Sequence, residues 1–335
     1  MFFWILIFIL SLAILIKSAD WFVESSEKIG LALKISPFII GVTIVAIGTS
    51  FPELASSIAA TLKGATEIVT ANTVGSNLAN ILLIVGLSAV VSRTLIVRRS
   101  LIDLDAPLLG VSTFLFVLVM RDKEIVLGEG ILLIFGFLIY LLYTIFQRRE
   151  PEEETPEAKE ILPSRIERRE KEAKIEVVSL RPSPSQKLHF KVFIFLILGM
   201  VGLAIGANYT IESIVKISEI FKISSSLIAI TALAIGTSLP ELMVSVRAAL
   251  KKKYAIALGN VFGSNVFNAL VVAGIPALIS PLAVDDLTFK IGLPFLVIAT
   301  LLFVISGISR RIHIWEGAMY LLLYILFVVK LCGLF

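Results

Sequence analysis

Apolar residues along this chain fall in runs of roughly twenty, separated by charge clusters and by Pro and Gly. A helix of that length crosses the hydrocarbon core of a bilayer. The pattern predicts ten spans, at about 2–33, 36–62, 68–92, 101–120 and 125–147, then 190–220, 224–250, 254–280, 288–307 and 313–333. The second and seventh are long and interrupted by Gly and Pro. Residues 148–189 are the one extended polar stretch, dense in Glu152, Glu153, Glu154, Arg165, Arg168, Arg169, Lys171 and Lys174. This stretch reads as a solvated linker, with a short helix near 164–177 where acidic and basic residues alternate at helical spacing. The chain therefore divides into residues 1–147, the linker 148–189, and residues 190–335. The apolar start, Phe2 to Ile16, has no Lys or Arg ahead of it and no cleavage pattern, so it reads as the first transmembrane helix and not as a signal peptide.

Composition agrees with that layout. Of 335 residues, 57% are hydrophobic and 17% charged, against roughly half and a quarter in soluble domains. The mean hydropathy is +0.97. The net charge of +4 matters through its placement, because Lys and Arg collect in cytoplasmic loops. Arg93, Arg98 and Arg99, the basic linker, Lys251 to Lys253, and Arg310 with Arg311 all fall on one side if the spans alternate. That side reads as cytoplasmic, which leaves both termini extracytoplasmic. The basic residues give no reason to expect nucleic acid. A single cysteine, Cys332, excludes an intrachain disulfide and a cysteine metal cluster. His189 and His313 lie at predicted helix ends beside basic residues, where no metal or catalytic role is expected.

The two halves repeat at a fixed offset of 188 residues. Ala46-Ile-Gly-Thr-Ser-Phe-Pro-Glu53 recurs as Ala234-Ile-Gly-Thr-Ser-Leu-Pro-Glu241. The same shift carries Asn72 to Asn260, Gly75-Ser76-Asn77 to Gly263-Ser264-Asn265, and Asn80 to Asn268. Upstream it carries Glu24 to Glu212 and Lys34-Ile35-Ser36 to Lys222-Ile223-Ser224. Five spans is an odd number, so the second half enters the membrane upside down. Inverted repeats with interrupted helices are a plan of secondary transporters, which hold substrate near the midplane between the repeats. The fold class expected is an all-α membrane protein of ten transmembrane helices in two inverted five-helix repeats.

The repeated motif concentrates oxygen. Pro52 has no amide hydrogen and clashes with the carbonyl four residues back, and Gly48 tolerates unusual torsions at that turn. Carbonyls around Ala46 to Gly48 are expected to lose their helical partners. Such backbone is tolerated at membrane depth where it lines a cavity. Thr49 and Ser50 add hydroxyls and Glu53 a carboxylate; Thr237, Ser238 and Glu241 do the same in the other half. Asn80 and Asn268 follow Ser76 and Ser264 by one helical turn and share their faces. Asn77 and Asn265 point elsewhere, as packing or helix-bonding residues, and Glu24 and Glu212 read as interfacial. An all-oxygen set suits a hard cation such as calcium, which takes six to eight such ligands. No sulfur or imidazole is at hand for a softer metal. With no Lys or Arg inside the four relevant spans apart from Arg247 near an end, the glutamates need an ion or a proton when occluded.

The two Gly-Thr-Ser-x-Pro-Glu motifs, each followed by Gly-Ser-Asn, closely resemble the alpha repeats of the sodium/calcium exchanger family, within the calcium/cation antiporter superfamily. The resemblance implies two pseudosymmetric five-helix halves, a central site for calcium or several sodium ions, and sliding of the first and sixth helices to alternate access. It implies a transporter of the plasma membrane without enzymatic activity or cofactor, whose partners are Ca2+, Na+ and the bilayer. Carried over by position, the ligands would be the Ala46 carbonyl, Thr49, Ser50, Glu53, Ser76 and Asn80. Their counterparts would be the Ala234 carbonyl, Thr237, Ser238, Glu241, Ser264 and Asn268. The match departs at Asn268, where family members often carry an aspartate; the amide leaves two formal negative charges instead of three.

Two other readings remain open on sequence. A calcium/proton antiporter is the nearer one, although that branch typically places Gly-Asn ahead of its glutamate. A passive cation channel is the other, and the two interrupted hairpins argue against an open pore. An intramembrane protease is a weaker reading still, since Ser50 and Ser238 lack a histidine partner within the membrane and no paired membrane aspartates are evident. The linker lacks the dense acidic loop of an EF-hand.

Overall fold

A computed structural model describes residues 2–33, 35–97, 106–146, 189–220 and 236–333. Ala234, the linker 148–188 with its expected helix, and residues 224–235 of the seventh span lie outside the described residues. So do residues 101–105 of the fourth span. The described residues are helical except for two short ribbons and the turns between elements. In the first half the order is α1 (Phe2–Ala32), α2 (Pro37–Ile40), a π-helical turn (Gly41–Val45), α3 (Ala46–Thr49), α4 (Phe51–Leu62) and α5 (Thr66–Leu78). A second π turn (Ala79–Val85), α6 (Gly86–Ser92), strand β1 (Thr94–Ile96), α7 (Ala106–Val119), β2 (Glu124–Ile125) and α8 (Leu127–Phe146) follow. The second half runs α9 (Phe190–Ile220), α10 (Leu239–Leu250), α11 (Tyr254–Phe267), a π turn (Asn268–Val272), α12 (Gly274–Ala277) and β3 (Leu282–Ala283). It ends with a π turn (Thr288–Gly292), α13 (Leu293–Ile308), β4 (Arg311–His313) and α14 (Ile314–Leu331).

Among the described residues, 8 helical stretches are long and apolar enough to cross a membrane, and Ala106–Val119 is a shorter apolar helix. This is an integral membrane protein. α1 and α9 pack lengthwise against each other and expose much of their apolar surface, as do α8 and α14. The stretch Tyr254–Ala277 is almost wholly enclosed, and its neighbours sit very close. A Cβ on Gly259 would lie 2.6 Å from the Phe38 carbonyl oxygen, and one on Gly41 would lie 2.9 Å from the Gly259 Cα. Here backbone meets backbone, which only glycine permits. Lipid tails are as apolar as side chains, so close packing of this kind holds membrane helices together.

Ion pairs fix one end of α1. Asp20 accepts two hydrogen bonds from the Arg247 guanidinium, at 2.9 and 2.6 Å. Lys251 reaches both Asp20 and Glu24 at 2.9 Å, and Lys253 pairs with Glu27 at 2.5 Å. Glu24, read from sequence as interfacial, is thus one rung of a ladder tying α1 to the end of α10.

The ribbons carry the repeat into three dimensions. β1 pairs antiparallel with β4, Leu95 opposite Ile312, and β2 pairs with β3, Glu124 opposite Ala283. Adding the repeat offset to Leu95 gives Ala283, and subtracting it from Ile312 gives Glu124, so each ribbon is the other's counterpart in the same register. The first ribbon gathers Arg93, Arg310 and Arg311 at one end of the bundle. The second stands beside Lys123, Asp285 and Asp286. There Lys123 and Lys290 grip Asp286 and bring its carboxyl down to about 2.

Gly259→Ala is expected to destabilise the protein by about 1–3 kcal/mol, because the added methyl meets backbone that cannot step aside. Gly110→Ala in α7, where a Cβ meets nothing within 4 Å, should leave stability unchanged. Thermal unfolding of the two variants in detergent micelles checks this.

Candidate ion-binding site

The second span is a helix broken at the motif. Ser36 caps its start, accepting a hydrogen bond from the Ile39 amide at 3.3 Å, and Pro37 occupies the first turn. Helical geometry stops at Ser50 (φ −86°, ψ 4°), and α4 restarts at Phe51 with Pro52 in its first turn. In the other half the chain breaks at Ser238 (φ −86°, ψ 7°), and α10 restarts at Leu239 with Pro240. Proline is tolerated in a helix's first turn because the amide hydrogen it lacks would have no helical acceptor there. Each break thus sets a glutamate, Glu53 or Glu241, in the first turn of a 12-residue helix, where the helix dipole favours negative charge.

The Ala46 carbonyl is not freed as the motif suggested. It accepts the Ser50 amide at 3.0 Å and lies 3.3 Å from the Thr49 hydroxyl. Pro52 removes only the donor that would serve Gly48, four residues back. The counterpart at Ala234 lies outside the described residues.

Hydrogen bonds across the repeats draw the other candidates together. Ser50 Oγ donates to Glu241 Oε1 at 2.9 Å. Thr49 Oγ1 donates to Asn260 Oδ1, and Thr237 Oγ1 to Asn72 Oδ1, both at 3.2 Å. Ser76 and Thr237 share a hydrogen bond of 3.3 Å. Asn77 Nδ2 donates to the carbonyl of Asn265, its own counterpart 188 residues on, and Asn265 Nδ2 bonds the Val261 carbonyl. Asn77 therefore joins α5 to α11, whereas the Asn265 side chain bonds within its own helix.

Asn80 and Asn268 sit in the π turns that follow α5 and α11. A π turn adds a residue to the helical repeat and is frequent at functional sites. α4 packs on the turn carrying Asn268, and α10 packs on the turn carrying Asn80. Each glutamate-bearing helix therefore faces the asparagine segment of the opposite repeat. Glu53 and Glu241 are 1% exposed, and Ser50, three residues before Glu53, bonds Glu241.

Many of these atoms have no partner among the described residues. Both carboxylate oxygens of Glu53, Oε2 of Glu241, the hydroxyls of Ser238 and Ser264, and both amide atoms of Asn80 and Asn268 are buried without a hydrogen bond. Buried polar atoms are nearly always satisfied, and leaving one unsatisfied costs about 1–3 kcal/mol. Among the described residues, no Lys or Arg forms an ion pair with either glutamate; Arg247 is taken by Asp20. No group of three or more His, Cys, Asp or Glu occurs there either. A cation held here would meet two carboxylates and would take its remaining ligands from hydroxyls and amides. That donor set fits a hard ion.

The profile of the sodium/calcium exchanger protein family matches residues 3–146 and 191–333, both halves of the chain on either side of the linker. The chain belongs to this family. The sodium/calcium exchanger MaX1 of Methanosarcina acetivorans is 34% identical over 343 residues, covering 97% of each protein. The inner membrane protein YrbG of Escherichia coli is 29% identical over 88% of this chain and 86% of its own length. A solved structure of the sodium-calcium exchanger NCX_Mj, soaked with zero Na+ and Ca2+, superposes with a TM-score of 0.78. Its identity is 30%, and the match covers 98% of each chain.

As a sodium/calcium exchanger family member, the protein is a calcium/cation antiporter and not an enzyme. Three residues around the site escaped the sequence reading: Asn72, Asn260 and Ser245, the last accepting from Asn260 Nδ2 at 2.9 Å. The repeat offset had paired Asn72 with Asn260, and that pairing was the available signal. For the exchanger site, Glu53→Gln should leave the ion-free protein at least as stable as the unchanged chain, since it removes a buried charge without a counter-charge. Calcium at a hundredfold its dissociation constant should stabilise the unchanged chain by about 2.7 kcal/mol, and the variant should lose that gain. Thermal melts in chelator and in calcium report both effects.

Proposed function

We propose that the protein exchanges Ca2+ for Na+ by alternating access at a midplane site between two inverted five-helix repeats, residues 1–147 and 190–335, ten spans in all. The ligand oxygens come from Glu53, Thr49, Ser50, Ser76, Asn80 and the Ala46 carbonyl, and from Glu241, Thr237, Ser238, Ser264, Asn268 and the Ala234 carbonyl. The single observation that carries this reading is the set of buried, unpartnered oxygens around two acidic side chains with no basic neighbour. Such a site is expensive to move through the membrane without a cation. That cost couples inward and outward passage of ions and disfavours a leak.

Sodium as the counter-ion is supported by Gly-Thr-Ser-x-Pro-Glu in both repeats and by the similarity to MaX1, named a sodium/calcium exchanger. Asn268, an amide where the family often has a carboxylate, favours a second reading, exchange of Ca2+ for protons. The positive loops support a cytoplasmic linker 148–189 with both termini outside, and the membrane proposed is the plasma membrane. Exchange of three sodium ions for one calcium, as the family resemblance implies, moves one net charge, worth about 2.3 kcal/mol per 100 mV.

Calcium-45 uptake into proteoliposomes separates these readings. Uptake driven by an outward sodium gradient, and lost in Glu53→Gln and in Glu241→Gln, is the expected result. Uptake that follows only an imposed pH gradient assigns protons as the counter-ion. Flux indifferent to both gradients contradicts an antiporter.

A further inference from the structure

We propose that Asn72 and Asn260 are positioning residues of the ion site, each holding the opposite repeat's threonine hydroxyl so that its oxygen is presented to the cation. This rests on the ion site described above but not on the identity of the counter-ion. Thr49 reaches Asn260 across 211 residues of chain and Thr237 reaches Asn72 across 165, at the same 3.2 Å. Under the repeat offset the two bonds exchange places. The clamp is therefore built twice, once on each side of the pseudosymmetry.

Thr70 and Thr210 also reach across the chain, to the Ala283 carbonyl and Ser11 Oγ, but other threonines bond within their own helix. Thr61 donates to the Ser57 carbonyl, Thr73 to Val69 and Thr144 to Tyr140, each four residues back. That is the ordinary habit of a helical hydroxyl. Thr49 does keep a 3.3 Å contact with the Ala46 carbonyl, so Asn260 competes for its hydrogen and draws it toward the other repeat. A hydroxyl has one hydrogen and two lone pairs. With the hydrogen committed to an asparagine oxygen, the lone pairs are left for a cation.

The orientation of Asn260 follows from its surroundings. Its Nδ2 faces the backbone carbonyl of Glu241 at 3.4 Å and Ser245 Oγ at 2.9 Å. A carbonyl can only accept, so the NH2 group must lie on that side and Oδ1 must face Thr49. One fully buried amide thus fixes the threonine of one repeat while bonding the glutamate-bearing turn of the other. Asn72 contacts Thr237, which in turn meets Ser76; here the bond ties two candidate ligands to one amide.

The test is a double-mutant cycle read as calcium binding to the full-length purified protein by titration calorimetry. Asn260→Ala is expected to raise the calcium dissociation constant about tenfold, the effect of one lost charge-orienting hydrogen bond. Thr49→Val should do the same, and the double variant should be little worse than either single one. Asn72→Ala with Thr237→Val repeats the cycle on the other side and serves if Asn260→Ala fails to fold. Unchanged calcium affinity in folded Asn260→Ala or Asn72→Ala, or fully additive losses in the cycles, would overturn the proposal. Wild-type protein that binds calcium but does not exchange it for sodium refutes the sodium reading alone and leaves this cycle decisive. Wild-type protein that binds no calcium contradicts both.

Discussion

Two carboxylates buried within a membrane protein, with no basic partner among the described residues, are the constraint from which the rest of this structure follows. A charge in that position is tolerated only with compensation. Part of it comes from the fold itself. Each glutamate stands in the first turn of a helix that restarts after a break, so the dipole of that helix points at it. One carboxylate oxygen of Glu241 also accepts the Ser50 hydroxyl. Among the described residues the remaining oxygens have no partner, and under the proposed function a cation supplies what is missing. Proline therefore has a positional role here: at Pro52 and Pro240 it ends one helix, begins another, and so delivers a carboxylate to a helix N-terminus.

The repeats are alike in backbone and unlike in detail. The breaks at Ser50 and Ser238 agree within a few degrees, the threonine–asparagine bonds match, and the two ribbons share one register. Ser50, however, bonds Glu241, whereas among the described residues Ser238 bonds nothing and both Glu53 oxygens are unpartnered. The ion-pair ladder on α1 is also confined to one end. At the counterparts of Asp20 and Arg247 the chain carries Asn208 and Ala59. The two halves thus differ in what holds each of them.

Much of this was legible in the sequence, because the strongest signals were local or repeated. The apolar runs marked the spans, and the 188-residue offset marked both halves of the site. Across the repeats Ser50 bonds Glu241, Thr49 bonds Asn260 and Thr237 bonds Asn72, while among the described residues Glu53 keeps both carboxylate oxygens unbonded. What sequence could not convey was partnership. The π turns at Asn80 and Asn268 have no compositional mark, since their residues are as apolar as those of the helix around them. The Ala46 carbonyl was expected to be free because Pro52 removes a donor, yet Ser50's amide still reaches it. Asn260 looked like one more polar residue in a buried helix, and its role shows only where Thr49, Ser245 and the Glu241 carbonyl meet it. Arg247 and Glu24 each carried a charge whose partner lay more than 200 residues away.

Diffraction from crystals soaked in calcium, with the anomalous signal located directly, tests the central claim that the two motif glutamates form one cation site. The structure predicts a peak between Glu53 and Glu241, about 2.3–2.6 Å from their oxygens, and absent in the doubly substituted Glu53→Gln, Glu241→Gln protein. A strong calcium peak bound elsewhere, with nothing between these two side chains, would contradict it.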